Sequence, residues 1–450
     1  MAQLGEAVAR YHELLETRSF RDLAWAEELQ AQMRRRGLTD SGRLVSPVLR
    51  PHFISRSQLA KLKVVAERLT ATFDRLEAIT LSSPELLARM RMLPAEKVLA
   101  SAPCGYTRSS IACRMDAGFQ NGSLSVRSVE TCKPSGLAYA DMLGDLFLKT
   151  PVMREFRRKG YDVCLPNGPA TLFAAIQKAW KEYGGNHQPN IAVVEFGKAP
   201  ADQSSEGELI AQTLAKAGAS VQLAAPEQLE YRNKRLTAGN FAVDIVYRRV
   251  LTREILVRHD LAHPLLEAYR DRAVCVVNGF RSEAGRRRAL FELLTDEAIG
   301  GKLSAVERNA VREYVPWTRV VSSRKTCYKD QQIDLVPFVL KNRERFVLRP
   351  NDDCDGQQTF VGAQIGQSTW EHALRSAAQT SYVVQEHFPT PVETFPVLQY
   401  GEVNLKQTTV SVHPHILDGA VQGASANIES AAPGSSRPLA LAPVMVLNHE

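Results

Sequence analysis

Residues 1–105 repeat apolar side chains at helical spacing. The segments AVARYHELLE, DLAWAEELQAQMRRR and LAKLKVVAERLTATFDRLEAI place apolar groups at positions i, i+3, i+4 and i+7. This spacing gathers the apolar side chains on one face of a helix, and that face then packs against a neighbouring element. We therefore predict a helical amino-terminal region over residues 1–105.

The pattern changes to alternation in residues 106–158. RSSIACRMDAGFQNGSLSVRSVET alternates with a period of two around Asn121-Gly122, a dipeptide that favours a two-residue hairpin turn. A helix is predicted to follow from Gly136 to Phe156. These residues are therefore expected to form a strand hairpin followed by a helix.

Residues 159–298 have the pattern of an α/β subdomain. IAVVEF is typical of a buried strand, GELIAQTLAKAGA of a crossover helix and SVQLAA of the next parallel strand. FAVDIVYRRV and AVCVVNGF predict further strands of the same sheet, and a helix is predicted from Glu283 to Thr295. The arginine run 286–288 in that helix is predicted to form a solvated face.

Residues 299–450 begin with a small lid over 300–345. RFVLRPNDDCDGQQTFVG, residues 345–362, has the pattern of a strand, a polar Asp/Gly turn and a second strand. A helix over 370–379 and a strand ending in Gln385-Glu386 follow, and residues 395–447 return to strands. A cation on the first strand and mobile amides in the turn suit phosphate binding. Many such turns, however, carry Asp and Gly for conformational reasons alone.

Bulk composition narrows the range of partners. The chain has 450 residues and a formal net charge of +7, but no dense Lys/Arg block interleaved with aromatic residues, so nucleic acid is not predicted as a partner. Seven cysteines without CxxC spacing indicate reduced thiols. The amino terminus lacks an apolar signal core and no run of about 18 apolar residues occurs, so we predict a soluble, cytoplasmic protein without a membrane partner.

Four segments occur in an order that resembles a known family. They are VVNGFRSE (276–283), RKTCYK (324–329), FVLRPNDD (346–353) and YVVQE (382–386). In this order they resemble the circularly permuted ATP-grasp proteins, which are similar to the synthetase domain of glutathionylspermidine synthase. The likeness also takes in LLARMRMLPAEKVLA, residues 114–136 and VDIVYRR, so it spans nearly the whole chain. It implies a circularly permuted, ATP-grasp-like α/β fold with a central α/β sheet subdomain, a helical amino-terminal region, and ATP and Mg²⁺ as cofactors.

The resemblance implies a set of residues that contact ATP: Lys325, Arg349, Gly356, Gln358, Gln385 and Glu386. In this set Lys325 and Arg349 would meet the phosphates, although either is also explained as an exposed strand charge. The family usually has lysine where this chain has Arg349, and it has Gly-Gly-x-Gly where this chain has one glycine, Gly356. Fewer glycines leave fewer amides free to approach phosphate.

The resemblance also implies a metal site on two neighbouring strands. Arg114-x-Asp116 matches the first strand, with Arg114 as the arginine that stabilises charge on the acyl group. The family's Glu-x-Asn on the second strand corresponds either to Glu130 and Cys132 or to Ser128 and Glu130. Because Glu130 supplies oxygen in both alignments, Asp116 and Glu130 are predicted to hold Mg²⁺. Without the cation, these two carboxylates are expected to repel each other.

Two further groups of residues are candidates with competing explanations. Arg281 follows the strand AVCVVNGF at a predicted helix start, where it would hold substrate or triphosphate as a second catalytic arginine, or else belong to the helix cap. His413 and His415 place two imidazoles on one face of a strand, but no third metal ligand is evident, which favours a structural role.

Together these features predict an ATP- and Mg²⁺-dependent carboxylate–amine ligase. Its acceptor would be an amino acid, a peptide or a polyamine, so the partner is a small molecule or peptide. A non-catalytic nucleotide-binding or scaffold protein of the same fold explains the single-glycine turn more simply. A kinase for small-molecule hydroxyl groups is a further alternative. The sequence identifies neither substrate nor the oligomeric state.

Overall fold

The amino-terminal region is mainly helical. The computed structural model describes residues 2–40, 42–168, 171–197, 205–352, 358–431 and 438–448. The first elements are α1 (Ala2–Glu16), α2 (Ala24–Arg35), β1 (Thr39–Asp40), β2 (Arg43–Leu44), β3 (His52–Ser55), α3 (Arg56–Leu81), α4 (Pro84–Arg89) and α5 (Pro94–Ser101). Helix α3 begins with a capping box between Ser55 and Gln58. The helices predicted from apolar spacing are therefore present.

The predicted hairpin follows. Its elements are β4 (Ala112–Gln120), β5 (Ser123–Glu130), α6 (Leu137–Leu148), α7 (Pro151–Arg158) and β6 (Val163–Cys164). Asn121 and Gly122 both have positive φ, 47° and 79°, as the tight hairpin turn requires. The single helix predicted over 136–156 is wrong in one respect, because Pro151 begins a new helix whose first turn is capped by Thr150.

A parallel sheet forms the centre of the α/β subdomain. The elements are α8 (Leu172–Tyr183), β7 (Asn190–Val194), α9 (Glu206–Lys216), β8 (Ser220–Ala224), β9 (Leu229–Arg232), β10 (Arg235–Ala238), β11 (Phe241–Val243), β12 (Ile245–Arg248), α10 (Thr252–Arg258), α11 (Pro264–Arg270) and β13 (Cys275–Val277). The parallel order is β13-β12-β7-β8. The single strand predicted over FAVDIVYRRV is instead two strands, β11 and β12. They are separated at Asp244, whose carboxylate accepts from the backbone amide of Asn190. Strand β11 joins an antiparallel sheet with β10 and β9.

The segment after β13 folds into short helices. They are α12 (Ser282–Gly285), α13 (Ala289–Leu294), α14 (Glu297–Gly300) and α15 (Ala305–Tyr314). The helix predicted from Glu283 to Thr295 is broken at residues 286–288, and the prediction that these arginines form a solvated face is wrong. Arg286, Arg287 and Arg288 are exposed by only 7%, 5% and 6%.

In the structure, the name lid is given to residues 318–386, whereas the lid predicted from the sequence covers 300–345. The lid contains a small antiparallel sheet and has its own core. Its elements are β14 (Thr318–Val320), β15 (Lys325–Tyr328), β16 (Gln331–Asp334), α16 (Leu335–Lys341), β17 (Phe346–Pro350), β18 (Phe360–Val361), α17 (Gln367–Gln379) and β19 (Tyr382–Glu386). The strand order β14-β19-β17-β18 contains the predicted hairpin and the strand that follows it. Trp370, Phe346 and Leu348 form part of the lid core, which lies between this sheet and α17.

The large sheet completes the fold. Its last strands are β20 (Val392–Gln399), β21 (Glu402–Leu417), β22 (Ala420–Ser430) and β23 (Pro438–Leu447). The order is β3-β23-β22-β21-β4-β5, with β20 beside β21 and β6 beside β23. Val410 and Val412 pack into the core that includes Leu69 of α3. Because side chains alternate along a strand, His413 and its polar neighbours face the other way.

Candidate functional site

The front face of the lid sheet lies against the large sheet. Arg349 pairs with Val383 in the register of β17 and β19, so Arg349, Val383 and Gln385 point to the same face. The side chain of Gln385 donates to the backbone oxygen of Arg127 on β5 at 3.2 Å and to the Thr318 hydroxyl at 3.1 Å. Gln385 therefore ties the lid to the hairpin that carries the predicted metal residues, and its amide is already engaged.

Asp116 lies on the large sheet across from this face. It pairs with Ser128 in the β4–β5 register, and its carboxylate accepts a 2.7 Å hydrogen bond from Arg127. His413 lies 3.4 Å from the same oxygen. Burial alone would raise the pKa of Asp116, but Arg127 and His413, with a smaller effect from Arg349, hold the pKa well below its ordinary value. Asp116 is therefore ionised and already paired with cationic or polar groups.

Arg114 and Glu130 form the next cross-strand pair on the same face as Asp116 and Ser128. Arg114 donates to the backbone oxygen of Ser135 at 3.2 Å and to its hydroxyl at 3.0 Å. Glu130 accepts from the backbone amides of Cys132 and Lys133 at 2.8 and 3.1 Å. Each carboxylate thus has partners of its own, which offset the repulsion expected between Asp116 and Glu130.

The residues of the two alignments of the second strand lie in different surroundings. Ser128 and Glu130 line one small cavity with Asp116. Cys132 is fully buried, and its sulfur lies 3.4 Å from the Ser282 hydroxyl. The polar pair that shares the cavity with Asp116 is therefore Ser128 and Glu130.

This cavity, called the front pocket below, measures about 30 Å³. Its walls carry three arginines, two carboxylates, a hydroxyl and one apolar side chain: Arg114, Arg286, Arg288, Asp116, Glu130, Ser128 and Val129. Arg286 approaches Glu130 to 3.9 Å. The excess of arginine over carboxylate makes the pocket suited to an oxyanion such as a phosphoryl group.

The arginine run 286–288 also anchors the base of the predicted phosphate loop. Arg286 and Arg287 both donate to Asp352, and Arg288 donates to the backbone oxygen of Pro350 at 2.7 Å. Asn351 accepts from the backbone amide of residue 289 at 2.7 Å. Asp352 is therefore a buried anchor rather than a simple turn former. This role was not predicted from the sequence, although the apolar neighbours ALF and LL of α13 indicate a buried segment.

Two more titratable groups lie within electrostatic range of Arg349. Burial, then Arg349 and Arg127, lower the pKa of His387, which follows β19. Burial and the Asp116 carboxylate raise the pKa of Glu429 on β22. Neither residue belongs to a recognisable sequence motif. They come near Arg349 only because the lid sheet and the large sheet face each other.

The oxygen donors fit magnesium that arrives with a nucleotide. Asp116, Ser128 and Glu130 present oxygen atoms to the front pocket, and Mg²⁺ prefers oxygen ligands. Within the described ranges, no three His, Cys, Asp or Glu side chains come close enough to hold a metal together. Because Mg²⁺ in such sites takes one or two carboxylates plus substrate phosphates, these donors suit a metal shared with ATP.

Four predicted site residues lie elsewhere or on undescribed segments. Lys325 lines a separate cleft behind the lid, and Arg281 lies in a third cleft, 3.3 Å from Glu77. Gln358 is exposed and accepts from the Tyr382 hydroxyl through its backbone oxygen. Gly356 lies outside the described residues, so the single-glycine turn remains a prediction.

Glu386 follows Gln385 and points to the opposite, back face of the lid sheet. Its carboxylate accepts from the Tyr328 hydroxyl at 2.8 Å and lies 3.2 Å from the ammonium of Lys329. Those partners belong to the β15–β16 hairpin. For its side chain to contact adenine or ribose, Glu386 would have to give up its bonds to Tyr328 and Lys329. A contact made by the strand backbone beside it requires no such exchange.

The two histidines of β21 have structural surroundings. His413 lies 3.0 Å from the Ser411 hydroxyl, and His415 lies 3.0 Å from that of Ser425. Burial and Arg114 lower the pKa of both imidazoles, that of His415 to about 3. Both are therefore neutral at physiological pH and packed within the sheet face.

Comparisons with known proteins bear on the fold. No protein-family profile and no curated protein matches the sequence. The structure is similar to that of a glutathione synthetase-like effector from Globodera pallida in its apo form, with a TM-score of 0.61 and 13% identity over 90% of this chain and 94% of that one. This likeness concerns the fold alone.

Two further structures are more distantly similar. A putative gamma-glutamylcysteine synthetase from Methylobacillus flagellatus has a TM-score of 0.44, 11% identity and coverage of 87% of this chain and 89% of that one. An ATP-grasp RimK domain protein from Sphaerobacter thermophilus has a TM-score of 0.27, 15% identity and coverage of 56% and 90%. The chain has a mixed α/β fold similar to that of the glutathione synthetase-like effector. Across the described residues, no helix is long and apolar enough to cross a membrane.

Proposed function

We propose that the protein is an ATP- and Mg²⁺-dependent carboxylate–amine ligase that works through an acyl phosphate. The observation that carries this proposal is the front pocket, where Arg114, Arg286 and Arg288 meet Asp116 and Glu130 opposite the Arg349 face of the lid. Acyl phosphate chemistry needs cations around the phosphoryl oxygens and an arginine near the acyl oxygen. The pocket offers both within one small volume.

The reaction consists of two balanced steps. A carboxylate oxygen of the acyl donor attacks the terminal phosphorus of ATP, which forms an acyl phosphate and releases ADP. An amine then attacks the acyl carbon, a C–N bond forms, phosphate leaves and the nitrogen loses a proton. In the first step negative charge spreads over the transferred phosphoryl oxygens, where fixed guanidinium groups stabilise it without reorganisation.

Each residue of the site has a distinct role in this proposal. Arg288 and Arg349 hold the phosphates from the large-sheet side and the lid side, and Arg114 meets the acyl phosphate. Asp116 and Glu130 would hold Mg²⁺. Bound by these residues, Mg²⁺ would supply positive charge that offsets the negative charge of the phosphates. Lys325 and Arg281 have no role here, because they lie in other clefts.

The acceptor is proposed to be the amine of an amino acid, a peptide or a polyamine. A screen of such amines with a panel of carboxylic acids tests the activity through ADP release. We expect release that requires both substrates and yields an amide product identified by mass spectrometry. Arg288→Gln should remove this release, whereas Glu344→Ala, an exposed lid change, should not. Release without an amide, with phosphate carried by a hydroxyl compound, would instead identify a kinase.

A non-catalytic nucleotide-binding protein is the second candidate. Two observations favour it: Asp116 is already engaged by Arg127 at 2.7 Å, and Ser128 stands opposite Asp116. A serine hydroxyl is a weaker magnesium ligand than a carboxylate, so the metal site has lost charge if Ser128 occupies the family's Glu position. In that case ATP raises the melting temperature by mass action, but no donor and amine pair releases ADP.

A further inference from the structure

A second cleft of about 510 Å³ lies where the lid meets the body of the protein. We call it the back cleft. Its lining is Arg89, Asp296, Glu297, Ala298, Arg319, Arg324, Lys325, Thr326 and Cys327. Helix α4 and the start of α14 supply one wall, and the lid strands β14 and β15 supply the other. A ligand in this cleft would therefore contact the lid and the body together.

The register of the lid sheet separates this cleft from the front pocket. Arg319 pairs with Val384, whereas Arg349 pairs with Val383, the residue before it. Since successive side chains of a strand point to opposite faces, Arg319 and Arg349 lie on opposite sides of the sheet. The two cavities share no lining residue. The back cleft is thus a distinct place on the molecule.

Two of its arginines are balanced by carboxylates of the protein. Arg89 lies 2.6 Å from both Glu292 and Asp296, and Arg324 lies 2.7 Å from Glu292. These groups form a network of two cations and two anions, of which Arg89, Arg324 and Asp296 line the cleft. They contribute no net charge to it.

Arg319 is different because only neutral oxygens hold it. Its guanidinium donates to hydroxyl or backbone oxygens of Thr295, Thr318, Thr326 and Cys327 at 2.7–3.3 Å. Its exposed fraction is 4%, and no carboxylate of the described residues forms an ion pair with it. A buried cation without a directly paired anion is costly. Burial lowers the pKa of Arg319, and the more distant carboxylates of Glu292 and Asp296 offset that effect only in part.

Lys325 adds a second unbalanced cation at the mouth of the cleft. It is exposed, and within the described chain its ammonium takes part in no ion pair. Glu297, also exposed, is the remaining carboxylate of the lining. After the balanced network is set aside, two cations face one carboxylate, so the cleft keeps a net positive charge beside hydrogen-bond donors.

We propose that the back cleft binds a small phosphate-bearing anion, with Lys325 as its direct ligand and Arg319 as the buried counter-charge. The volume holds a group larger than one phosphate, and the mixed lining selects a small solute over an extended polyanion. The anion would bridge β15 of the lid and α14 of the body. This site is independent of the proposed ligase activity.

Cys327 provides a reporter for this site. It lines the cleft and is partly accessible, so its alkylation by iodoacetamide can be followed by peptide mapping. Inorganic pyrophosphate should slow alkylation of Cys327 in a saturable manner, and potassium chloride at matched ionic strength should not. Mapping the labelled peptide separates this effect from pyrophosphate bound in the front pocket.

Three variants are expected to affect the pyrophosphate concentration that half-protects Cys327 in three different ways. Lys325→Gln should raise the half-protecting pyrophosphate concentration about tenfold, because it removes one charge-assisted contact. Glu297→Gln, which removes the opposing carboxylate, should lower that concentration. Arg349→Gln, on the other face, should leave it unchanged.

Lys325→Gln and Glu297→Gln both change exposed residues, and loss of folding would shift the half-protecting concentration in the same direction in both. Opposite shifts therefore cannot come from loss of folding. The site is disproved if millimolar pyrophosphate fails to protect Cys327 in the wild type. It is also disproved if protection depends on Arg349 rather than on Lys325, since the anion would then act from the front pocket.

Discussion

The two faces of the lid sheet hold arginines in opposite electrostatic settings. The front face brings Arg349 near Asp116, His387 and Glu429, and it faces a pocket where arginines and carboxylates alternate. The back face buries Arg319 with hydrogen bonds to neutral oxygens, and Glu292 and Asp296 act on it electrostatically without an ion pair in the described chain. Preorganised cations such as those of the front pocket suit a ligand whose charge develops during a reaction. We therefore place the proposed chemistry on the front face and the proposed anion binding on the back face.

The largest expected effect concerns the anchor behind the front pocket. Asp352→Ala leaves Arg286 and Arg287 without their shared carboxylate, so we expect a loss of roughly 3–5 kcal/mol in the free energy of unfolding. Denaturant unfolding followed by circular dichroism measures this loss. Glu344→Ala, which removes an exposed pair, should cost no more than about 1 kcal/mol. Similar costs for both changes would mean that the anchor carries little stability.

The second prediction concerns Asp116 and combines stability with turnover. Asp116→Asn should abolish amine-dependent ADP release and also destabilise the protein without ligand, because the ion pair with Arg127 is lost. The pKa of Asp116 is depressed in the folded state, so its contribution is present above the unfolded pKa of about 3.9 and is lost as the pH falls through the lower folded value.

The pH dependence gives this second prediction its check. The difference in unfolding free energy between wild type and Asp116→Asn should be constant from pH 7 to pH 5 and shrink below about pH 4. A difference that grows on acidification would show that the carboxylate is not the favoured form. Turnover that survives the change would move the metal away from β4.

A smaller effect is expected on the lid side of the pocket. Arg349→Ala should weaken ATP binding much more than AMP binding, because each charge-assisted hydrogen bond to phosphate contributes roughly 1.5–3 kcal/mol. Isothermal titration with both nucleotides measures the ratio. Equal losses for ATP and AMP would assign Arg349 a role in folding only.

The smallest expected effect tests whether ATP binds on the front or the back face of the lid sheet. Lys325→Gln should leave ATP affinity within about twofold of the wild type, since the lid sheet lies between Lys325 and the front pocket. The same titration measures this. A tenfold loss of ATP affinity would place the phosphates behind the lid and reverse the assignment of the two faces.

Patterns within one segment were readable from the sequence. The Asn121-Gly122 hairpin and the strand–turn–strand of the lid were predicted because alternation and turn chemistry are local properties. The partners of a side chain across two sheets are not local. Asp116 and Glu130 lie on paired strands and line one pocket, whereas Lys325, which was predicted to contact ATP together with Arg349, lines a different cleft. The roles of these residues stay predictions.

Burial of charged residues was the main source of error. The run 286–288 has the composition of a solvated surface, and only the fold supplies the buried carboxylates that pair with Arg286 and Arg287. Arg288 donates to the backbone oxygen of Pro350 instead. The circular permutation and the single-glycine turn stay predictions. The cytoplasmic location likewise stays a prediction.

The bonds of Asn351 bear on how firmly the lid is held. Asn351 bonds the body through the backbone of residues 90 and 289, while Gln385 bonds the backbone of Arg127. On β14, Arg319 donates to Thr295 and the backbone amide of Val320 donates to Glu292, so β17, β19 and β14 are each tied to the body. A sheet attached through three of its strands has its orientation fixed, so the distance between Arg349 and the front pocket is set by the fold itself.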